Sequence, residues 1–228
     1  MSLLKIKYLF VIGLFVMVSC RKNELKKPSD VSFKVDINRN ESSSGHLVFT
    51  GGTINLASFD VEGERQEGDD ISFSREFSNG LLVEFDPDMN ISELAYEIPQ
   101  GVYERLSISF DTFDDNTDVT IVCLGTYTNG NSESIPVRFE FMSAEYFSID
   151  AEEDSGETNI ILDKDTPANA LLELDPIYWF DILSTNQLDN AELVDVEGVQ
   201  TILINDSVND GLYDLLSGRV EESTEVLF

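Results

Sequence analysis

The chain reads as a mainly β protein, an antiparallel β-sandwich of about eight or more strands with one or two C-terminal helices. Three observations predict this. Apolar and polar residues alternate over several short runs, which puts one face of each strand in a core and the other in water. Asn, Gly and Pro punctuate those runs at the spacing of consecutive antiparallel strands. After residue 175 the apolar period moves from two toward the helical three to four. A partly closed barrel is the alternative architecture.

The elements follow in order. In "VSFKVDI" Val31, Phe33, Val35 and Ile37 share one face, and Ser32, Lys34 and Asp36 the other. "LVFT" and "GTINLASFDV" read as the next strands, and "ISFSREF" repeats the alternation with Ile71, Phe73 and Phe77. Asn79-Gly80 suits a type I′ turn into "LLVEFD", because that turn needs positive φ at both central residues. Pro99-Gln100-Gly101 joins "ELAYEI" to "VYERLSISF". Asn129-Gly130-Asn131 joins "VTIVCLGTYT" to "IPVRFEF", whose core face is Ile135, Val137, Phe139 and Phe141. Asp175-Pro176 opens "IYWFDIL" as a short helix, with Asp as cap and Pro in the first turn. Val208, Leu212, Leu215, Leu216 and Val220 mark a longer helix capped by Asp206 or Ser207, which Gly211 and Gly218 weaken. "VQTILI" is a late strand between the two. The expected organisation is a leader over 1–19, a tether over 20–30, a sandwich over 31–175 and a mixed extension over 176–228 packed upon it.

The leader is the most specific signal in the chain. From Tyr8 to Ser19 there are 12 residues without a charge. As a helix they reach ~18 Å, well short of a ~30 Å hydrocarbon core. Lys5 and Lys7 precede the run, and no acid appears before Glu24. A basic start, a short apolar stretch and a small residue at its end compose a secretory signal. Met17-Val18-Ser19-Cys20 resembles the lipobox of bacterial lipoproteins. That resemblance implies that the Cys20 thiol receives a diacylglyceryl group, that the signal is cut before it, and that the new amino terminus is acylated. One acyl chain holds only marginally at about 0.8 kcal/mol per buried methylene, so several chains on Cys20 make the attachment lasting. The expected location is the bacterial cell envelope, lipid-anchored at the outer membrane. The basic run Arg21-Lys22 after the cysteine departs from the acidic export signals of surface lipoproteins and favours the periplasmic face. Cys123, the other cysteine, then has no disulfide partner and reads as a buried, inert thiol in an apolar strand.

Charge narrows the partners. The chain carries 14 basic and 44 acidic residues, a net charge of −30. Six basic residues face three acids between Arg21 and Asn40, whereas six face 41 from Glu41 onward. Nucleic-acid binding needs phosphates neutralised by clustered Lys and Arg, so that class is excluded. Anionic polysaccharides and phosphorylated substrates are disfavoured on the same ground. A basic stalk attracted to anionic headgroups at about 1 kcal/mol per charge, below an acidic body repelled by them, predicts a domain that stands off the bilayer.

Chemical candidates are few. "DTFDDNTD" could gather Asp111, Asp114, Asp115, Asn116 and Asp118 around calcium, a cation that takes six to eight oxygens; no other cofactor is expected. Its spacing lacks the central glycine of an EF-hand loop, and a solvated loop between strands explains it as well. His46 is the single histidine and reads as a surface or loop residue. No strained G-x-S-x-G turn offers it a nucleophile, and no pair among so many carboxylates stands out, so the chain does not read as an enzyme. Tyr178 and Trp179, in a run with Phe180, could stack on a sugar ring or anchor a partner; core packing is the competing use of these rings.

"YEIPQGVYERLSISF", with Pro99, Gly101 and Tyr103, resembles the turn that enters a core strand in transthyretin-like and fimbrillin-like sandwich domains of bacterial envelope lipoproteins. The resemblance implies a sandwich and carries no catalytic residues. The expected function is therefore a non-catalytic binding or assembly module, held to a membrane by its N-terminal lipid and engaging a protein or glycan. The alternatives are a glycan-binding accessory lipoprotein and an adhesin or pilus subunit.

Overall fold

The computed structural model describes residues 25–114, 119–153, 155–157, 159–222 and 224–228. Strand makes up 55% and helix 12%, the mainly β class expected. The strands are β1 (Pro28–Ile37), β2 (Leu47–Arg65), β3 (Ile71–Glu84), β4 (Ala95–Pro99), β5 (Gly101–Thr112), β6 (Ile121–Thr128), β7 (Ser134–Phe141), β8 (Tyr146–Asp150), β9 (Ile160–Leu162), β10 (Ala168–Leu174), β11 (Leu193–Val196), β12 (Val199–Ile204) and β13 (Thr224–Leu227). The helices are α1 (Pro176–Phe180), α2 (Thr185–Asp189) and α3 (Asp210–Ser217).

Two sheets face each other. One has the order β13-β10-β1-β4; the other, curled like half a barrel, has the order β11-β12-β7-β6-β2-β5-β8, with β3 added to β2 and β9 to β5. The long strand β2 is the spine of the curled sheet. Its first half pairs with β6 from Leu47↔Tyr127 to Ile54↔Ile121, and its second half with β5 from Leu56↔Thr112 to Arg65↔Tyr103. The opposite side of β2 is taken by β3. The two runs expected as separate strands, "LVFT" and "GTINLASFDV", are thus one strand that bends at Gly51-Gly52, where the register with β6 shifts. Gly52 sits at φ +147, and a Cβ there would overlap the Val122 carbonyl. Only glycine allows that close approach.

Alternation does its predicted work. Val31, Phe33, Val35 and Ile37 are all buried, and so are Val137, Phe139 and Phe141. Aromatic rings carry the core from sheet to sheet. Phe33 meets Phe59 at 5.2 Å between centroids, Phe59 stacks with Phe110, and Phe110 stacks with Phe147 at 4.5 Å. Offset ring pairs of this kind add about 0.5–1.5 kcal/mol each beyond their buried area.

Several turn expectations are corrected. Asn79-Gly80 makes no hairpin: β3 runs through it, and four of its residues oppose Ala57 alone between the pairs Leu56↔Leu81 and Ser58↔Glu76. The positive φ of Gly80 (+71) serves a wide bulge, where a Cβ would collide with the Asn55 side chain. Pro99-Gln100-Gly101 is also no hairpin, since β4 belongs to one sheet and β5 to the other. Asn129-Gly130-Asn131 does close the hairpin between β6 and β7, with Thr128↔Ser134 as its last pair. Pairing is mostly antiparallel, but β1 with β10 and β12 with β7 are parallel. Neither Asp206 nor Ser207 caps α3; its N-cap is Asn209, left-handed at φ 54, whose amide instead ties to Glu192 and Leu203.

The C-terminal third is woven into both sheets. Strand β12 extends the curled sheet at β7, and β13 extends the smaller one at β10. Strands from beyond the boundary expected at residue 175 therefore pair with strands from before it. At the other end β1 starts at Pro28, so three residues assigned to the tether belong to the fold. Ser29 among them is fully buried, its hydroxyl donating to the Asp163 carbonyl at 2.9 Å.

Candidate functional site

Strand β1 gives the molecule two poles. Pro28 and its partner Pro99 mark the pole where the N-terminal segment enters; Arg65 closes it by donating to the carbonyls of Leu25 and Gln100. Ile37 and its partner Leu174 mark the other pole, ~30 Å away at ~3.3 Å per residue. The second pole is capped by α1, α2 and the loop of residues 38–46.

Local sequence explains each cap. The Asp175 carboxylate accepts from the Tyr178 N–H at 3.1 Å, with Pro176 in the first turn of α1. Trp179 and Phe180 then turn inward onto Phe139, and Phe180 meets Phe49 at 5.0 Å. In α2 the Ser184 hydroxyl accepts from the Gln187 N–H while the Gln187 side chain accepts from the Ser184 N–H, a capping box. The serine loop turns at Gly45 (φ +70) and is fastened by the Leu47 N–H, which donates to the Ser42 hydroxyl at 3.1 Å. The Tyr127 hydroxyl donates to the Asp189 carboxylate at 2.8 Å and also reaches the Thr185 carbonyl. Burial, and then that carboxylate, push the phenol up to about 12.

These caps enclose a cavity of about 170 Å³. Leu47, Tyr127, Phe180 and Leu188 form its buried floor, with Ile177 and Leu183 beside them. Its rim is polar: Ser42, Ser43, Ser44, His46, Asp181 and Thr185. Among the described residues no Lys or Arg lines it. The cavity holds a volume of about six waters at ~30 Å³ each, enough for one small ring and too little for a larger cofactor.

The residues singled out from sequence lie elsewhere, or only beside this cavity. Trp179 is 0% exposed and offers a ligand no surface; its indole N–H has no partner among the described residues. Tyr178 is exposed, but the Arg219 guanidinium covers its ring at 4.1 Å and Glu222 meets its hydroxyl. The two rings thus make no stacking platform, because one is needed by the core and the other is already paired. Phe180, grouped with them, does line the cavity. Asp111 lies on β5 and accepts from the Ser58 hydroxyl at 2.8 Å; Asp114 is exposed; Asp115, Asn116 and Asp118 lie outside the described residues. Among the described residues no three acidic, histidine or cysteine side chains gather as for a metal ion. Cys20 and the whole leader lie outside the described residues too. Cys123 is fully buried, and burial raises its thiol far above the usual range.

His46 is the sequence candidate that gains significance, as part of the rim. The serines, Asp181 and Thr185 escaped sequence reading because they come from segments more than a hundred residues apart. Asp181 lies within the run "IYWFDIL" read as a helix, and the sequence signals nearest the other rim residues are the S-x-x-Q pattern at Ser184 and the low-complexity run "NESSSG". Comparison with protein-family models, with curated proteins and with solved structures finds no match to this chain.

Proposed function

We propose that this protein is a lipid-anchored, non-catalytic recognition module of the bacterial cell envelope, with its binding pocket at the pole farthest from the anchor. The observation that carries the reading is the direction of β1. Its first residue receives the segment that follows Cys20, and its last leads directly into the serine loop at the pocket rim. Seven residues lie between Cys20 and Pro28, and the eight steps from one to the other reach at most about 28 Å. A body held that near the bilayer by one pole presents the opposite pole to the surrounding compartment.

Charge supports the same orientation. Arginines that could otherwise soften the acidic surface are engaged internally: Arg39 with Asp36, Arg138 with Glu140, Arg219 with Tyr178 and Glu222. The excess of carboxylates is left facing solvent, where it repels an anionic headgroup layer over a Debye length of about 8 Å.

Fractionation and mass spectrometry test the anchor. The native protein is expected in the membrane fraction, resistant to high salt, with lipid mass on Cys20 as the first residue of the mature chain. Cys20→Ser is expected to be unprocessed or soluble. A Cys20→Ser protein that is processed and still sediments with membranes in high salt would sink the reading.

A further inference from the structure

The pocket at the capped pole has a composition that selects among ligand chemistries. Anions are disfavoured twice: among the described residues no Lys or Arg lines the cavity, and the whole chain carries −30. A cation finds few carboxylates to hold it: Asp189 already accepts from the Tyr127 hydroxyl, which leaves Asp181 as the one acid among the residues lining the cavity, too few for an ion that needs several oxygens. What remains are neutral hydrogen-bonding groups. Ser43, His46 and Thr185 have no side-chain partner among the described residues; the Ser44 hydroxyl meets that of Ser42 at 3.2 Å, and Ser42 also accepts from the Leu47 N–H. Each hydroxyl both donates and accepts, and the imidazole offers two ring nitrogens for such contacts. Such a rim above an aliphatic and aromatic floor matches a ligand with hydroxyls along its edge and C–H groups on its face. The cavity of about 170 Å³ admits one six-membered ring.

We propose that this pocket binds one uncharged saccharide residue, with the ring on Leu47, Ile177, Phe180 and Leu188 and its hydroxyls bonded to Ser43, His46, Asp181 and Thr185. The assignment rests on the recognition reading above and names its ligand class. It also moves the saccharide site from Tyr178 and Trp179 to the cavity on the other side of the same helix.

The test uses the full chain in a detergent without a sugar headgroup. Saturation-transfer NMR and calorimetry are run with glucose, galactose, mannose and N-acetylglucosamine, with their methyl glycosides, and with butylamine and acetate at matched ionic strength. At least one neutral sugar is expected to bind saturably. Ser43→Trp, which places bulk across the mouth, is expected to weaken it by about tenfold or more, and Asp181→Ala by several-fold. Both positions are exposed, and an unchanged far-UV circular dichroism spectrum and cooperative melt report that each variant is folded. Equal binding of the methyl glycoside identifies the terminal residue of a glycan as a source, whereas binding of the reducing sugar alone identifies a free monosaccharide; each supports the saccharide class. Saturable binding of butylamine or acetate without any sugar overturns that class and leaves a recognition site of different chemistry. Binding of no probe, or sugar binding untouched by both substitutions, overturns the pocket assignment, while the anchor remains tested separately by fractionation.

Discussion

The guanidinium of Arg39 grips both carboxylate oxygens of Asp36, Nε to Oδ2 at 2.9 Å and Nη2 to Oδ1 at 2.7 Å. Asp36 is only 3% exposed although it lies on the outward face of β1. The same guanidinium donates to the carbonyl of Phe85 at 3.0 Å and to that of Thr50. One side chain therefore joins the end of the small sheet to both β2 and the segment leaving β3. Arg39→Ala leaves a buried carboxylate unpaired and two carbonyls without their donor. Because Arg39 itself is partly exposed, the expected loss is at the low end for such pairs, about 2 kcal/mol. Urea denaturation measures it. Arg39→Lys is expected to recover only part, since an ammonium cannot form the fork.

Three carboxylates stand in one row across the small sheet: Asp36 opposite Glu173, and Glu173 opposite Glu225. Burial raises the Glu173 pKa first, and the charges of Glu225, Asp36 and Asp175 raise it further against the opposing pull of Arg39. A carboxyl raised in the folded state holds a proton that the unfolded chain has already released. Stability attached to it is therefore full below the unfolded pKa and falls as pH rises through the folded one. Glu173→Gln is expected to stabilise the protein at pH 7 by about 0.5–1 kcal/mol, the scale of like charges opposed across strands. The gain should vanish near pH 4. Thermal melts of both proteins between pH 4 and pH 8 give the comparison; an equal difference at every pH counts against the carboxylate row.

Cys123 and Trp179 report on the two halves of the core without perturbing it. Both are 0% exposed. The folded protein is expected to leave Cys123 unreactive toward a thiol reagent at pH 8 and to release it on unfolding, because burial keeps the thiol protonated. Emission from the single tryptophan should be blue-shifted and poorly quenched by acrylamide. Coincident transitions of the two probes in urea are the outcome expected of one cooperative body. A thiol that reacts before the emission shifts would place the lids and the curled sheet in separate units.

Periodicity exposed the strands that carry one buried face, which is why Val31 to Ile37 and Ile135 to Phe141 were legible. It was silent where the pattern serves two masters. "ANALLEL" reads as a helical mixture of Ala, Leu and Glu, yet it is β10, placed between β1 and β13 with Ala170, Leu172 and Leu174 inward. Its state is decided by partners distant in sequence, which local propensity does not contain. Gly80 has the positive φ that its Asn-Gly signal implies, but it serves a bulge and not the expected chain reversal. The pocket was the least legible part, because its rim is assembled by the fold from serines at 42–44 and an acid at 181.

Arg75 lies at one of the open edges of the sandwich. Strand β4 is an edge of the small sheet, opposite β13, with β1 on one side only. The Arg75 guanidinium lies 4.4 Å over the Tyr96 ring and donates to the carbonyls of Glu93 and Ala95, the latter at 2.7 Å. It thus bridges β3 of the curled sheet to this edge and caps acceptors that another strand could use. Exposed edges of this kind template association unless they are blocked. Arg75→Ala removes a cation–π contact and two hydrogen bonds to charged nitrogen, an expected loss of about 1–2 kcal/mol. It also uncovers the edge. Sedimentation velocity at increasing concentration should show the variant self-associating where the parent does not, with high salt increasing the effect as acidic repulsion is screened. A variant that loses stability yet stays monomeric in high salt would assign Arg75 to holding the sheets together and leave edge protection to other features of β4.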